Sequence, residues 1–556
     1  MVDGLPLAIE LAAARMRVLS PAKLVDRLSK RFAVLRTSRR GASSRQTTLR
    51  GAIDWSWDLC TPAEQLALAQ CSVFHAGFEL EAAEATIDVS GFSDEPFVMD
   101  LVDSLVDKSL LRSSTATGRG GDEPRFGMYV SIQEYAAEKL RDASAVLGDD
   151  AAPLTGPDAQ RECERRHGRW YAALGDEEAV EAFYGPDDVR VRAQLALEKA
   201  NIAAALERAV EPGDAALVHP LAHAYANAIG RLGAFEIVED LQRALAAVHL
   251  PAGPRSQLQG RLAFAISSWK PGRVAARRLH SEAIRSADES GDPKLAARAR
   301  IDAHHWSAVG PDLERSSETL AAARRAANEL GDERYVAQAD RELGDAFQKL
   351  GRRVEARAAY ERGLERAARI RTRHVHQSCL SGLAILSQLE GRDDEVFSLL
   401  RESIRLSGEV DDRSSTGHQM AVLADYLQQA GRVDEALAQA REALRVLAPT
   451  GNIRSSAIAD YALAMAHLRL DEHDAAEASI LAAVRSLEAV DDRHELAIAL
   501  SFRARIAHKR GDDVVAQEAL ARARALIEET NLEPGSEPGV RVAQAAAILG
   551  AKRGGS

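Results

Sequence analysis

The chain has 556 residues and a net charge of −12, with 46% hydrophobic, 28% charged and only 5% aromatic residues. That length exceeds what one core organises, so several domains or a repeat array are expected, and the wealth of Ala, Leu, Arg and Glu points to an all-α protein. The cysteines, Cys60, Cys71, Cys163 and Cys379, share no CxxC spacing, and no apolar run reaches the ~18 residues of a membrane span. Zinc, a disulfide framework and a membrane partner are therefore not expected, and the cytoplasm is the expected compartment.

Charge is uneven along the chain. Residues 1–50 hold 11 Lys/Arg against 3 Asp/Glu, a surplus of +8, which leaves −20 on the rest. Gly4-Leu5-Pro6-Leu7 opens a helix, because proline suits a first helical turn. SPAKLVDRLSKRFAVLR (20–36) reads as a second helix with a serine cap, and TSRRGASSRQ as a basic linker. Two helices follow, split at Thr61-Pro62, where Thr61 caps and Pro62 takes the first helical position. Trp55 and Trp57 are assigned to the core here. ELEAAEATI (79–87) is a short acidic helix. FVMDLVDSLVDKSLLRSS is a helix running into a strand, TATGRGGDEPR a loop, and FGMYVSI a second strand leading into the helix QEYAAEKL. Helices followed by a two-stranded hairpin with a glycine-rich tip make a winged helix.

The last 220 residues are periodic. Turns fall at Gly351, Gly391, Gly431, Asp471 and Gly511, each 40 residues after the last. A second set lies half a period away, at Gly331-Asp332, Asp411-Asp412, Gly451-Asn452 and Asp491-Asp492. Two turns per period mean two helices per repeat. Five residues past each main turn stand Ala356, Val396, Ala436, Ala476 and Ala516. Nine past it stand Tyr360, Leu400, Ala440, Ile480 and Leu520, and twelve past it Gly363, Ser403, Ala443, Ala483 and Ala523. Small residues where helices cross permit close packing, and large ones fill the space between hairpins. Each hairpin leaves an apolar face that only a neighbour buries, so the array is a solenoid. Upstream, Gly310, Gly272 and Gly233 continue the period more weakly, with Gly291-Asp292 at the half step, giving about eight hairpins. After PGSEPG, VRVAQAAAIL reads as a short helix capping the last hairpin.

These columns resemble the tetratricopeptide repeat: Leu343-Gly344, Phe347, Gly351, Ala356, Tyr360 and Gly363 stand at that family's relative spacing, with 40 residues replacing about 34. The resemblance implies that the first helix of each repeat lines an inner groove. It places Arg341, Asp345, Gln348, Gln388, Asp425, Gln428, Arg505 and His508 there as candidate partner-binding residues. They are polar and mixed in sign, which suits a folded protein or a peptide carrying both charges.

The N-terminal third resembles the bacterial STAND class of signal-transduction ATPases with an NB-ARC-type module. Gly4-Leu5-Pro6-Leu7 matches its GLPL motif. TLRGAIDWSWDL (48–59), LVDSLVDKSLL (101–111) and SIQEYAAEKL (131–140) match its winged helix, and LEKANIAAALERAV (197–210) the helix that opens its sensor region. The resemblance implies an ATPase core before GLPL, where Gly4 and Pro6 would contact a nucleotide base. No GxxxxGK[ST] occurs, so no phosphate cradle is present. The nucleotide-sensing MHD motif falls on Met128-Tyr129-Val130. The expectation is the C-terminal part of a larger regulator, or a product started internally, with no cofactor of its own.

No HExxH, GxSxG or paired Cys/His arrangement appears. His374 and His376 lie two apart, the wrong spacing for shared ligation on a helix, and His304-His305-Trp306 has no carboxylate or cysteine four residues on. No catalytic residue and no metal ligand is assigned. The winged helix is a weak candidate for DNA, since LVDSLVDKSL carries three aspartates and one lysine. The expected architecture is an all-α tetratricopeptide-like α-solenoid preceded by a small winged-helix domain. Residues 1–42 form an ATPase-module remnant, 43–143 the winged helix, 144–159 a linker, 160–214 a helical connector, 215–530 the repeats and 531–556 a cap and tail. The expected function is a non-enzymatic sensor or scaffold that binds a protein or peptide and relays this to an ATPase or effector domain. The alternatives are a free-standing adaptor bridging two proteins and a DNA-binding transcriptional regulator.

Overall fold

The structure, a computed structural model, describes residues 49–115, 124–229, 234–267, 270–307, 313–409, 412–530 and 532–550. The GLPL segment with Gly4 and Pro6, the helix at 20–36, the basic linker and the turns at Gly233 and Gly310 lie outside these residues. The described helices are, in chain order, α1 (Leu49–Asp58), α2 (Pro62–Cys71), α3 (Leu80–Thr86), α4 (Val98–Asp107), α5 (Val130–Arg141), α6 (Pro157–Ala172), α7 (Glu177–Phe183), α8 (Asp188–Val210), α9 (Ala215–Ile229), α10 (Ala234–Ala247), α11 (Ala252–Ser267), α12 (Lys270–Ser290) and α13 (Pro293–Ser307). They continue with α14 (Leu313–Glu329), α15 (Glu333–Lys349), α16 (Arg353–Arg369), α17 (Arg373–Leu389), α18 (Asp393–Glu409), α19 (Arg413–Gln429), α20 (Val433–Leu447), α21 (Ile453–Arg469), α22 (His473–Val490), α23 (Arg493–Arg510), α24 (Asp513–Thr530) and α25 (Glu537–Gly550). Strands β1 (Arg112–Thr115) and β2 (Pro124–Gly127) pair antiparallel between α4 and α5. The chain divides into two compact units, residues 1–176 with 193–228, and residues 177–192 with 229–556.

The first unit is helical with a hairpin wing. Thr61 and Glu64 start α2 with a reciprocal cap, Thr61 N–H to Glu64 Oε2 at 2.7 Å and Glu64 N–H to Thr61 Oγ1 at 3.3 Å, and Pro62 is at the helix start. Trp57 is buried against Tyr135, ring edge to face. Trp55 is not a core residue: it points outward with 53% of its surface exposed. Two residues along a helix is about 200° around it, so neighbours at that spacing rarely share a face. Behind the wing, the guanidinium of Arg125 is buried between Glu198 on α8 and Glu79, 3.0 Å away. Asn201, one turn beyond Glu198, donates to Gly77 O at 2.8 Å and accepts the His75 N–H at 2.6 Å. The LEKAN stretch thus latches α8 to the edge of the wing.

The second unit is the repeat array. Each 40-residue turn is closed the same way. Gly351, Gly391, Gly431, Asp471 and Gly511 have φ between +58° and +85°, the left-handed geometry that ends a helix. The next residue's N–H bonds back five residues, as from Arg352 to Phe347 O at 2.8 Å and from Arg432 to Leu427 O at 2.9 Å. The half-period turns repeat the device, and Asp332, Asp412, Asn452 and Asp492 then cap the following helix through their side chains. Arg371 fills the same role with φ +56°. Gly272 departs from the sequence reading, since it lies inside α12.

Helices α15, α17, α19, α21 and α23 are the first members of successive hairpins, and the small-residue columns are buried where they meet their partners. At one crossing glycine is indispensable. Tyr360 on α16 inserts between α15 and α17, and a Cβ at Gly344 or Gly382 would come 2.5 Å and 2.2 Å from its ring atoms.

Helix α25 is not a simple end cap. Its Arg541, buried, bonds Asp425 Oδ2 on α19 at 3.0 Å, two hairpins up the array. The preceding loop touches a turn farther still, where Arg353 donates to Gly535 O at 3.0 Å. A polar cap needs only the last hairpin; Arg541 instead finds its carboxylate on the inner face. Gly351 and Gly431 share the left-handed geometry, so alanine at either is expected to lose about 1–2 kcal/mol. At Gly351 the added Cβ would also sit 3.2 Å from the backbone of Gly535 and Ser536, whereas Gly431 has open space. Gly351→Ala is therefore expected to lose more stability and to speed amide exchange in α25. Equal effects of the two variants would contradict the contact.

Candidate functional site

The inner helices enclose a cavity of 370 Å³ in the second unit. Its walls come mainly from α15, α17, α19, α21 and α23, with Glu537 of α25 at one side. The short helix-to-helix turns fix which side chains reach it, because each inner helix presents the same face one period after the last.

Five of the eight residues named from the repeat register line this cavity: Arg341, Asp345, Gln348, Gln388 and Asp425. Arg341 pairs with Asp345 at 2.7 Å and also with Glu342. Tyr360 donates to Asp345 Oδ1 at 2.6 Å and stands 2.9 Å from Gln348 Oε1. Across the cavity Arg454 binds Glu495 at 2.8 Å and Asp492 at 3.1 Å, and Tyr461 donates to Glu495 at 3.2 Å. Burial would raise the Glu495 carboxyl, but Arg454 and His494 outweigh it and hold it well below the usual range. Burial pushes the Lys349 ammonium down and the Glu537 carboxyl up.

The other three residues are elsewhere. Gln428 is buried and donates to Asp425 Oδ1 at 2.9 Å. Arg505 lies beside Arg541, where burial and the nearby charges of Arg541 and Arg469 push its guanidinium down to about 10. His508 bonds Asp513 at 2.8 Å at the following turn. Asp425 itself is taken by Arg541.

Two cavity groups have no hydrogen-bonding protein partner: the Gln388 amide nitrogen and the Gln419 side-chain oxygen. Buried amides are normally satisfied, so these positions mark where water or a ligand completes the wall. Among the described residues no group of three or more His, Cys, Asp and Glu side chains is arranged to hold a metal ion, and no helix is long and apolar enough to cross a membrane. The four cysteines are free and buried, and burial raises each thiol, Cys60 to about 11.

A row the sequence reading passed over runs along the inner helices. Arg334, Arg373, Arg413, Arg454 and Arg493 each stand first or second in their helix. The recurrence near 40 residues was visible in the sequence. A cation opposes the helix dipole there, so it needs an anion from elsewhere.

Fold and cavity define a tetratricopeptide-type helical-repeat protein joined to a winged-helix domain. No protein-family model matches the chain. It is 30% identical over 414 residues, 72% of its own length, to a protein of Mycobacterium tuberculosis (strain ATCC 25618 / H37Rv) named as an HTH-type transcriptional regulator, and equally to its Mycobacterium bovis counterpart. The chain spans 44% of the length of these relatives. Among solved structures it is similar to a signal transduction ATPase with numerous domains, with a tetratricopeptide repeat sensor, from Pyrococcus horikoshii, at 14% identity and TM-score 0.47, over 94% of this chain and 73% of that one. A Rap protein complexed with competence and sporulation factor matches at 10% identity and TM-score 0.46, over 67% and 99%. With TM-scores below 0.5 neither carries an argument, and the fold stands on the chain's own helices.

Proposed function

We propose that this chain is the sensor and scaffold portion of a STAND-type signalling or transcriptional regulator. A protein or peptide enters the repeat cavity, and the winged-helix domain passes that state to an ATPase or effector domain. The observation that carries this reading is the cavity itself, walled by five successive inner helices, mixed in charge, with amide groups of Gln388 and Gln419 left for a ligand. Arg341, Asp345 and Gln348 are the proposed contacts on one wall. The role is binding, not catalysis. The identity to mycobacterial proteins named as regulators supports the regulatory setting. DNA binding by the winged helix is the weaker reading, because α4 exposes Asp100, Asp103 and Asp107, which repel phosphate.

Ser378 lines the cavity from α17 and is only partly buried. Ser378→Trp is expected to fill the cavity while leaving the fold intact. Affinity capture with the native chain should recover proteins that the variant loses, at matched melting temperature. The same proteins on both would remove the cavity as the binding site.

A further inference from the structure

Residues 177–192 belong to the repeat unit although the chain around them does not. They carry carboxylates at Glu177, Glu181 and Asp188, with Phe183, Tyr184 and Pro186 between. Arginines from four successive inner helices meet them. On α13, Arg298 bonds Glu181 at 3.0 Å and approaches Glu177 at 3.4 Å. On α15, Arg334 holds both oxygens of Glu181 in a fork, at 2.8 and 2.9 Å, and its guanidinium lies 4.7 Å from the Tyr184 ring centre. On α11, Arg261 reaches the Tyr184 hydroxyl at 3.4 Å. On α17, Arg373 pairs with Asp188 and donates to Pro186 O at 3.1 Å.

This is a peptide seated across a ladder of repeats, each contributing one cation. Bidentate arginine–carboxylate pairing and arginine over an aromatic ring are both selective contacts. Burial alone would raise the Glu181 carboxyl, yet Arg334 and Arg298 bring it below the usual range, in keeping with a seat fitted for an anion.

We propose that α11, α13, α15 and α17 form a binding surface for an acidic peptide bearing a tyrosine, and that residues 177–188 are its built-in occupant. A partner segment with a carboxylate, then an aromatic three residues on and a second carboxylate four beyond that, competes for the same arginines. Displacing residues 177–188 releases the segment that leads into α8, whose Glu198 and Asn201 hold the wing. The proposal rests on the reading of the array as a peptide-binding scaffold, but uses a different surface from the cavity.

The test uses the full chain and a fluorescent synthetic peptide with the sequence of residues 177–189. The triple variant Glu181→Gln, Tyr184→Ala, Asp188→Asn leaves the groove without its own ligand. It is expected to bind the peptide roughly tenfold or more tightly than the native chain, since the native site is mostly occupied. Adding Arg298→Glu and Arg334→Glu should abolish that binding. Equal affinity for native and triple variant, or no binding by a triple variant that melts as the native chain does, would overturn the proposal. If the triple variant does not fold, amide exchange decides: excess peptide should speed exchange at residues 177–190 of the native chain, and unchanged exchange overturns it. Ser378→Trp should leave peptide binding by the triple variant unchanged, so a failed cavity and a failed arginine ladder give different results.

Discussion

Tyr360→Ala is expected to destabilise the repeat array by roughly 3–5 kcal/mol, the usual cost of removing a buried aromatic side chain. The ring is 1% exposed and lies between Gly344 on α15 and Gly382 on α17. Both glycines exist to admit it, which gives a sharper test than the single variant. In the native background Gly382→Ala drives a Cβ to 2.2 Å from the ring, so it should cost about 1–3 kcal/mol as overpacking. In the Tyr360→Ala background the obstacle is gone. Alanine is then the better helix former by about 1 kcal/mol, and the sign should reverse. Urea unfolding followed by circular dichroism reads both arms. If Gly382→Ala destabilises equally in both backgrounds, the ring is not what the glycine makes room for.

Acid should unfold the first unit through His167. Its ring is fully buried, 5.2 Å from Phe74 and 4.8 Å from Tyr171 between centres. Burial, reinforced by Arg208 and His75, pushes the imidazole down to about 3, against an ordinary 6.5. The unfolded chain therefore takes up a proton between these values that the folded chain refuses. Stability is complete above pH 6.5 and falls toward pH 3, by about 1.4 kcal/mol per unit within the window. His280 and His304, both pushed down to about 4, add the same sign in the repeat unit. Asp460 runs the other way: burial raises it to about 6, so it costs stability as pH climbs from 3.8 toward that value. His167→Phe should flatten the acid dependence of the first unit, read as tryptophan fluorescence melts at pH 7, 5.5 and 4.5. An unchanged slope would place the proton elsewhere.

The 40-residue period was legible because glycine and aspartate announce the left-handed turn, and because alanine, serine and glycine mark helix crossings. Arg371 takes the same backbone geometry without announcing it, since arginine is not a turn residue, and the half-period series skipped it. The inner-face register served well between Arg341 and Gln388. It served poorly at Arg505, because α25 folds over that end and no local pattern tells a helix which inner carboxylate its arginine will find. The seat of residues 177–192 was illegible for the same reason. Glu181 and Arg334 are 153 residues apart, and only the path of the chain brings them together. The arginine row itself was readable, had its recurrence at helix starts been weighed against the dipole.

The contact from Gly535 to Arg353 has a mechanical consequence. An open stack of hairpins extends under tension like a coil spring, each unit yielding slightly against the next. Here a strap ties the end of the array to a turn four hairpins earlier. Pulling on the array between those points would load a few hydrogen bonds at once instead of stretching every interface a little. The C-terminal half of the array should therefore be stiff until the strap gives, and compliant afterwards.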